Sequence, residues 1–129
     1  MRSNELRLGN WVLNNGKPYQ ILNGIDNNYI YGLDSVILDS HIYKSSLEYI
    51  DPITLTEEIL LKCGFESDYK SIYAKYIPND GGYFHIKYNS HNNGFYLVLH
   101  GFYVARIKHL HQLQNLYFAL TGEELNIEL

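Results

Sequence analysis

Histidine, cysteine and paired carboxylates are the groups that could do chemistry in this chain, and their spacing decides what each can do. The sequence holds 6 His and 1 Cys in 129 residues. His109 and His111 stand two apart where an amphipathic stretch begins. On a regular helix that spacing turns them about 200° from each other, so they cannot share an ion there. His100 could meet His109 only through the fold. Neither His-x-x-x-His nor Cys-x-x-Cys occurs, and no metal or cofactor is expected. Cys63 falls on the apolar side of a short helix, near its C-terminal end, where partial negative charge disfavours a thiolate; it reads as a core residue. No Ser sits in a Gly-x-Ser-x-Gly elbow. The pairs Glu57-Glu58, Glu66 with Asp68, and Glu123-Glu124 fit a helix start or solvated loops, with no apolar cage to split their pKa values. Gly81-Gly82 precedes no helix and cannot cradle a phosphate as a glycine-rich loop does. The expectation is no catalytic residue and no enzyme.

Binding surfaces remain. The chain has 13 Tyr, 5 Phe and 1 Trp, and tyrosine serves half-buried strands and interfaces alike. Tyr29, Tyr31, Tyr83, Tyr96 and Tyr103 are candidate contacts. His111 and Gln114, with Gln112, Asn115 and Phe118, are expected on the exposed face of the last helix, where a merely solvated face would look much the same. A nucleic-acid alternative rests on Lys70, Lys75, Lys87 and Lys108 set among tyrosines, since aromatics stack bases and lysines hold phosphates. Alternation divides that mixture: Tyr73 and Lys75 share one side of their strand and Tyr76 takes the other. The formal charge of −4 argues against a general phosphate-backbone binder, though not against a local basic patch. It also suits approach to a basic, nucleic-acid-binding partner.

The elements that would position these residues read as α+β. Residues 9–13 and 18–22 form a hairpin around Asn14-Asn15-Gly16, where Asn and Gly accept positive φ. Asn23-Gly24 and 26–28 mark turns, and 29–31, 36–38 and 47–50 are short strands. The expectation for 1–53 is a small SH3-like β-barrel subdomain. Asp51-Pro52 is the seam, because proline removes a donor and ends the strand. A helix follows over 55–64, capped by Thr56 and closed by Gly64. Strands over 71–77, 83–88, 95–100 and 102–107 come next, the third so apolar that both its faces should be covered. The last helix carries Leu110, Leu113, Leu116, Tyr117 and Leu120 on one stripe, and residues 125–127 read as a short strand. Residues 54–129 are thus expected as an α-β-β-β-β-α subdomain, packed with the first as one compact unit.

No apolar run nears the roughly 20 residues that cross a bilayer, and the first residues lack a signal peptide's apolar stretch. A cytoplasmic protein with no membrane partner is expected.

Three stretches carry a resemblance: Glu5-Leu6-Arg7-Leu8-Gly9-Asn10-Trp11-Val12, then Leu55-Thr56-Glu57-Glu58-Ile59-Leu60-Leu61-Lys62-Cys63-Gly64-Phe65, then residues 111–125 from His111 to Leu125. In that order they resemble small, mostly uncharacterised proteins of Bacteroidota bacteria, their prophages and mobile elements. The resemblance brings no catalytic residue. In size and composition the chain is also similar to anti-CRISPR proteins of type VI-B, which inhibit an RNA-guided ribonuclease. That likeness implies a phage or mobile-element inhibitor whose partner is a host defence effector protein, its guide RNA or both. The alternatives are a small RNA- or DNA-binding module with an SH3-like barrel, and a structural or enzymatic phage protein.

Overall fold

A computed structural model describes residues 1–34, 43–67, 71–78, 81–127 and 129. The chain is α+β, and its described residues form two antiparallel five-stranded sheets and two α-helices. It divides into two compact units: residues 1–54 with 109–115 and 129, and residues 55–108 with 116–128.

In the first unit, β1 (Trp11–Asn14) turns into β2 (Lys17–Ile25) at Asn15 and Gly16, with φ of 51° and 81°. Those values are the left-handed pair that a two-residue hairpin needs. Asn23-Gly24, expected as a turn, is instead inside β2, where the register slips between Ile21 and Gly24. The bulge absorbs the extra residue without reversing the chain. Reversal comes at Asp26, whose Oδ1 accepts from the amides of Asn28 and Tyr29 at 2.9 and 2.8 Å. Then follow β3 (Tyr29–Asp34), β4 (Tyr43–Ser46) and β5 (Ile50–Asp51). The expected strand over 47–50 is mostly a 3₁₀ turn, Leu47–Tyr49, because the Ser46 hydroxyl accepts from the Glu48 amide and caps it. The expected strand over 36–38 lies outside the described residues. The sheet order is β4-β3-β2-β1-β5, curled into a half-barrel. Val12, Tyr19, Ile21, Ile30, Leu47 and Ile50 form its core. Tyr19 is fully buried and its hydroxyl donates to the Tyr43 carbonyl, so the ring keeps a polar partner.

In the second unit, α1 (Glu57–Lys62) starts at Thr56, whose hydroxyl accepts from the Ile59 amide at 3.2 Å, and ends before Gly64 at φ 89°. Its sheet joins β6 (Glu66–Ser67), β7 (Ile72–Tyr76), β8 (Tyr83–Asn89), β9 (Gly94–Leu99) and β10 (Phe102–Ile107), in the order β10-β9-β8-β7-β6. Leu60, Cys63 and Phe65 are buried with Tyr73, Phe84, Ile86, Leu97 and Ile107. Phe84 meets Phe65 edge-on at 6.0 Å and Tyr117 at 5.2 Å. Tyr117 belongs to α2 (Leu110–Thr121), which Gly122 closes at φ 74°. Residues 125–127 form no strand, yet Leu125 and Ile127 are buried. The expectation that β9 is covered on both faces fails. Leu97 is buried, whereas Tyr96 and Val98 on the opposite side of the strand are only half-buried. Its apolar composition therefore serves one covered face and one open one.

Candidate functional site

Directly opposed residues of an antiparallel sheet share a face, so the registers of the second sheet assign each side chain. Tyr73, Ile86, Leu97 and Ala105 fall on the covered face. On the other, Ile72, Lys87, Tyr96 and Arg106 form one row across β7, β8, β9 and β10. Ala74, His85, Val98 and Tyr103 form the next, continued by Glu66 on β6. Tyr76 and Tyr83 begin a third. Rows two residues apart along a strand are separated by about 7 Å, and neighbouring strands by about 4.8 Å.

Tyr103 reaches this face through a backbone device. Residues 103 and 105 would normally project to the same side of a strand. The β9–β10 register shifts between Tyr103 and Ala105, so Tyr103 opposes Val98 while Ala105 opposes Leu97 on the covered side. Bulges commonly re-aim a side chain in this way.

The open face holds two aromatic clusters. The rings of Tyr96 and Tyr103 are 5.0 Å apart and inclined by 30°. Tyr83 lies 5.5 Å from Tyr76 and 6.1 Å from His85. Tyr76, Tyr83 and Tyr103 are 51%, 59% and 47% exposed. Beside them are Lys87 and Arg106, neither of which has an ion-pair partner among the described residues. The face's one described carboxylate is Glu66, on the far edge strand. Near it a shallow pocket of about 210 Å³ opens between Glu66, Lys75, Tyr76 and Tyr83. Among the described residues no three His, Cys, Asp or Glu side chains converge as a metal would require.

The expected candidates divide accordingly. Tyr83, Tyr96, Tyr103 and Lys87 share this face. Tyr29 and Tyr31 belong to the first sheet, where each is already engaged. Lys44 Nζ sits 3.9 Å from the Tyr29 ring centre, and the Tyr31 hydroxyl donates to Asp26 Oδ2 at 3.5 Å. Lys75 opposes Phe84 on the covered side and approaches Gly64 at the end of α1. A cation there complements the helix C-terminus. Lys108 is one residue past β10, its carbonyl accepting from the Leu55 amide at 2.9 Å. Lys70 lies outside the described residues.

His111 and Gln114 are corrected outright, since each is 2% exposed rather than on a solvent-facing helix surface. Gln114 Oε1 accepts from the Trp11 amide at 2.9 Å and its Nε2 donates to the Gly9 carbonyl at 3.0 Å. Next to it, Asn115 Oδ1 accepts from Asn10 Nδ2 at 2.8 Å and from Arg7 Nε at 3.2 Å. Amides that read as surface decoration thus satisfy the backbone ahead of β1.

Sequence reasoning passed over Arg106, His85 and Gly94. Strict alternation against buried Ile107 would have placed Arg106 on the outer face. Gly94 falls just before the strand expected over 95–100, although it begins β9 opposite Asn89. No protein-family model, curated protein or solved structure matches the chain.

Proposed function

We propose that the chain is a binding protein, not an enzyme, and that it holds single-stranded RNA on the open face of its second sheet. The observation that carries this reading is the grouping of Tyr76, Tyr83, Tyr96 and Tyr103 on one surface with Lys87 and Arg106, neither of them ion-paired among the described residues. Aromatic rings on a sheet stack unpaired bases without reading sequence, and cations between them follow the phosphates. Neutral polar residues would suffice for a solvated sheet face, so three exposed tyrosines beside the half-buried Tyr96 call for an occupant. The resemblance to mobile-element and type VI-B anti-CRISPR proteins gives the biological setting: an inhibitor in the host cytoplasm that acts on an RNA-guided ribonuclease by occupying its guide RNA. The first unit fits an SH3-like barrel acting as scaffold. Its strand order, with a fifth short strand returning beside the first after a 3₁₀ turn, supports that reading.

The test is fluorescence anisotropy with a labelled uridine oligonucleotide of about 12 residues, within the site-size range of small single-strand binders. Alanine at Tyr83, Tyr96 or Tyr103 is expected to weaken binding about 5- to 150-fold each, from about 1–3 kcal/mol of stacking per base. The same variants should lose inhibition of a type VI-B ribonuclease, whereas Tyr29→Ala should keep it. Absence of RNA binding by the wild-type chain would sink the reading. Tight binding to the guide-free nuclease, unaffected by these variants, would transfer the function to a protein interface elsewhere.

A further inference from the structure

We propose that Gly94 and Arg106 form a phosphate-holding station beside the Tyr96–Tyr103 ring pair; this deepens the proposed function and rests on it. The geometry points there because the place of a side chain on Gly94 is taken by its neighbours. A Cβ added to Gly94 would sit 2.9 Å from Arg106 Nε, 3.2 Å from Arg106 Cζ and 3.1 Å from the Tyr96 ring. Gly94 is also buried and is not among the glycines with positive φ. Its role is therefore space rather than backbone freedom: the guanidinium and the Tyr96 ring settle over a bare stretch of β9.

The turn before β9 holds both partners in position. Arg106 Nη2 donates to the Asn92 carbonyl at 3.3 Å, and Asn92 Nδ2 donates to the Tyr96 hydroxyl at 2.7 Å. One turn residue thus anchors the cation and the stacking ring together. An arginine has five N–H donors in a planar fork, so one bond to Asn92 leaves most of the fork for an incoming oxyanion. Lys87 lies in the same cross-strand row, on the other side of Tyr96. A base stacked on the Tyr96–Tyr103 pair would carry its flanking phosphates toward these two cations. The ligand is the phosphodiester common to RNA and DNA. The proposed class is a flexible single strand, because bases must be unpaired to stack.

Two phosphate contacts on a single strand give a slope of log affinity against log salt of about −1.4, or about 25-fold weaker binding per tenfold rise in salt. Arg106→Gln should bring the slope to about −0.7 by removing one contact. Gly94→Ala removes no binding group, yet should produce the same fall by pushing the guanidinium away. The double variant should lose nothing more than either single one, and Arg106→Lys, which keeps the charge, should keep the slope. Thermal melts establish that each variant is folded, and Arg106→Gln, at an exposed position, tests the station even if Gly94→Ala is poorly folded. The measurement uses the uridine oligonucleotide and a matching deoxythymidine one. Equal losses on both support a phosphate contact; a loss confined to RNA would overturn it in favour of a 2′-hydroxyl contact. An unchanged slope in Arg106→Gln, with binding still lost in Tyr96→Ala, would overturn the station and leave the stacking face standing. No binding by the wild-type chain would overturn both.

Discussion

Cys63 is the chain's one thiol, and its surroundings suppress the chemistry a thiol could offer. It is 2% exposed, and burial pushes its pKa up to about 12, with the Lys75 ammonium pulling weakly the other way. At pH 8 the thiolate fraction is on the order of one in ten thousand. The native protein should therefore react with a thiol reagent only as fast as the end of α1 opens. Labelling should become immediate in denaturant. Rapid labelling of the folded chain would show that Cys63 is accessible and would reopen it as a functional group. The same contrast applies to the amides of α2. Gln114 and Asn115 spend their hydrogen-bonding capacity on Gly9, Asn10 and Trp11, so side chains suited to recognition work inside the fold. Among the described residues, the exposed Tyr76, Tyr83 and Tyr103 of the second sheet have no comparable internal task.

At the scale of elements, close approach between strands decides what the first sheet tolerates. Gly32 on β3 opposes Ile21, and a Cβ added there would fall 1.8 Å from the Gln20 carbonyl oxygen. That contact involves backbone, which cannot swing aside as a side chain can. Gly32→Ala should cost about 3 kcal/mol, the upper part of the overpacking range, measured by urea unfolding. Loss under about 0.5 kcal/mol, the level of an ordinary surface change, would mean that β2 and β3 separate more easily than the register implies. Elements with a local chemical signal were legible in the sequence: the Asn15-Gly16 hairpin, Thr56 and Gly64 around α1, and Leu110, Leu113 and Tyr117 of the α2 stripe, whose expected member Leu120 is instead 51% exposed. Those that depend on a partner were not. The two-residue strands β5 and β6 have no periodicity to read and exist by pairing with β1 and β7. The side on which Tyr103 projects depends on a bulge that alternation cannot foresee. Part of the candidate face was legible as scattered tyrosines and Lys87, but their convergence needed the register. Likewise β9 looked like a doubly covered strand, because an apolar run does not say whether its second face meets protein, ligand or water.

For the whole molecule, charge and pH act together on stability. Net charge is −4 at pH 7 with a pI near 5.8, so mild acid relieves the general self-repulsion of the chain. His111 opposes that gain. It is 2% exposed, stacked on His109 at 5.7 Å, and neither ring nitrogen has a hydrogen-bond partner among the described residues. Burial, and then the neighbouring His109, hold its pKa below the ordinary 6.5, while Glu5 pulls weakly upward. The folded state thus keeps His111 neutral at a pH where the unfolded chain already binds the proton. Its contribution is intact above about pH 6.5 and is lost as pH falls further, by at most about 1.4 kcal/mol per pH unit. His111→Leu removes the titration while keeping an apolar occupant of similar size. It should match or exceed wild-type stability at pH 7, because two unpaired buried nitrogens disappear. Comparing the melting temperatures of the two proteins from pH 7 to 5 cancels the shared change in net charge and isolates this one group. The wild-type curve should fall away from that of the variant below pH 6.5; parallel curves would show that His111 accepts a proton without leaving its buried place.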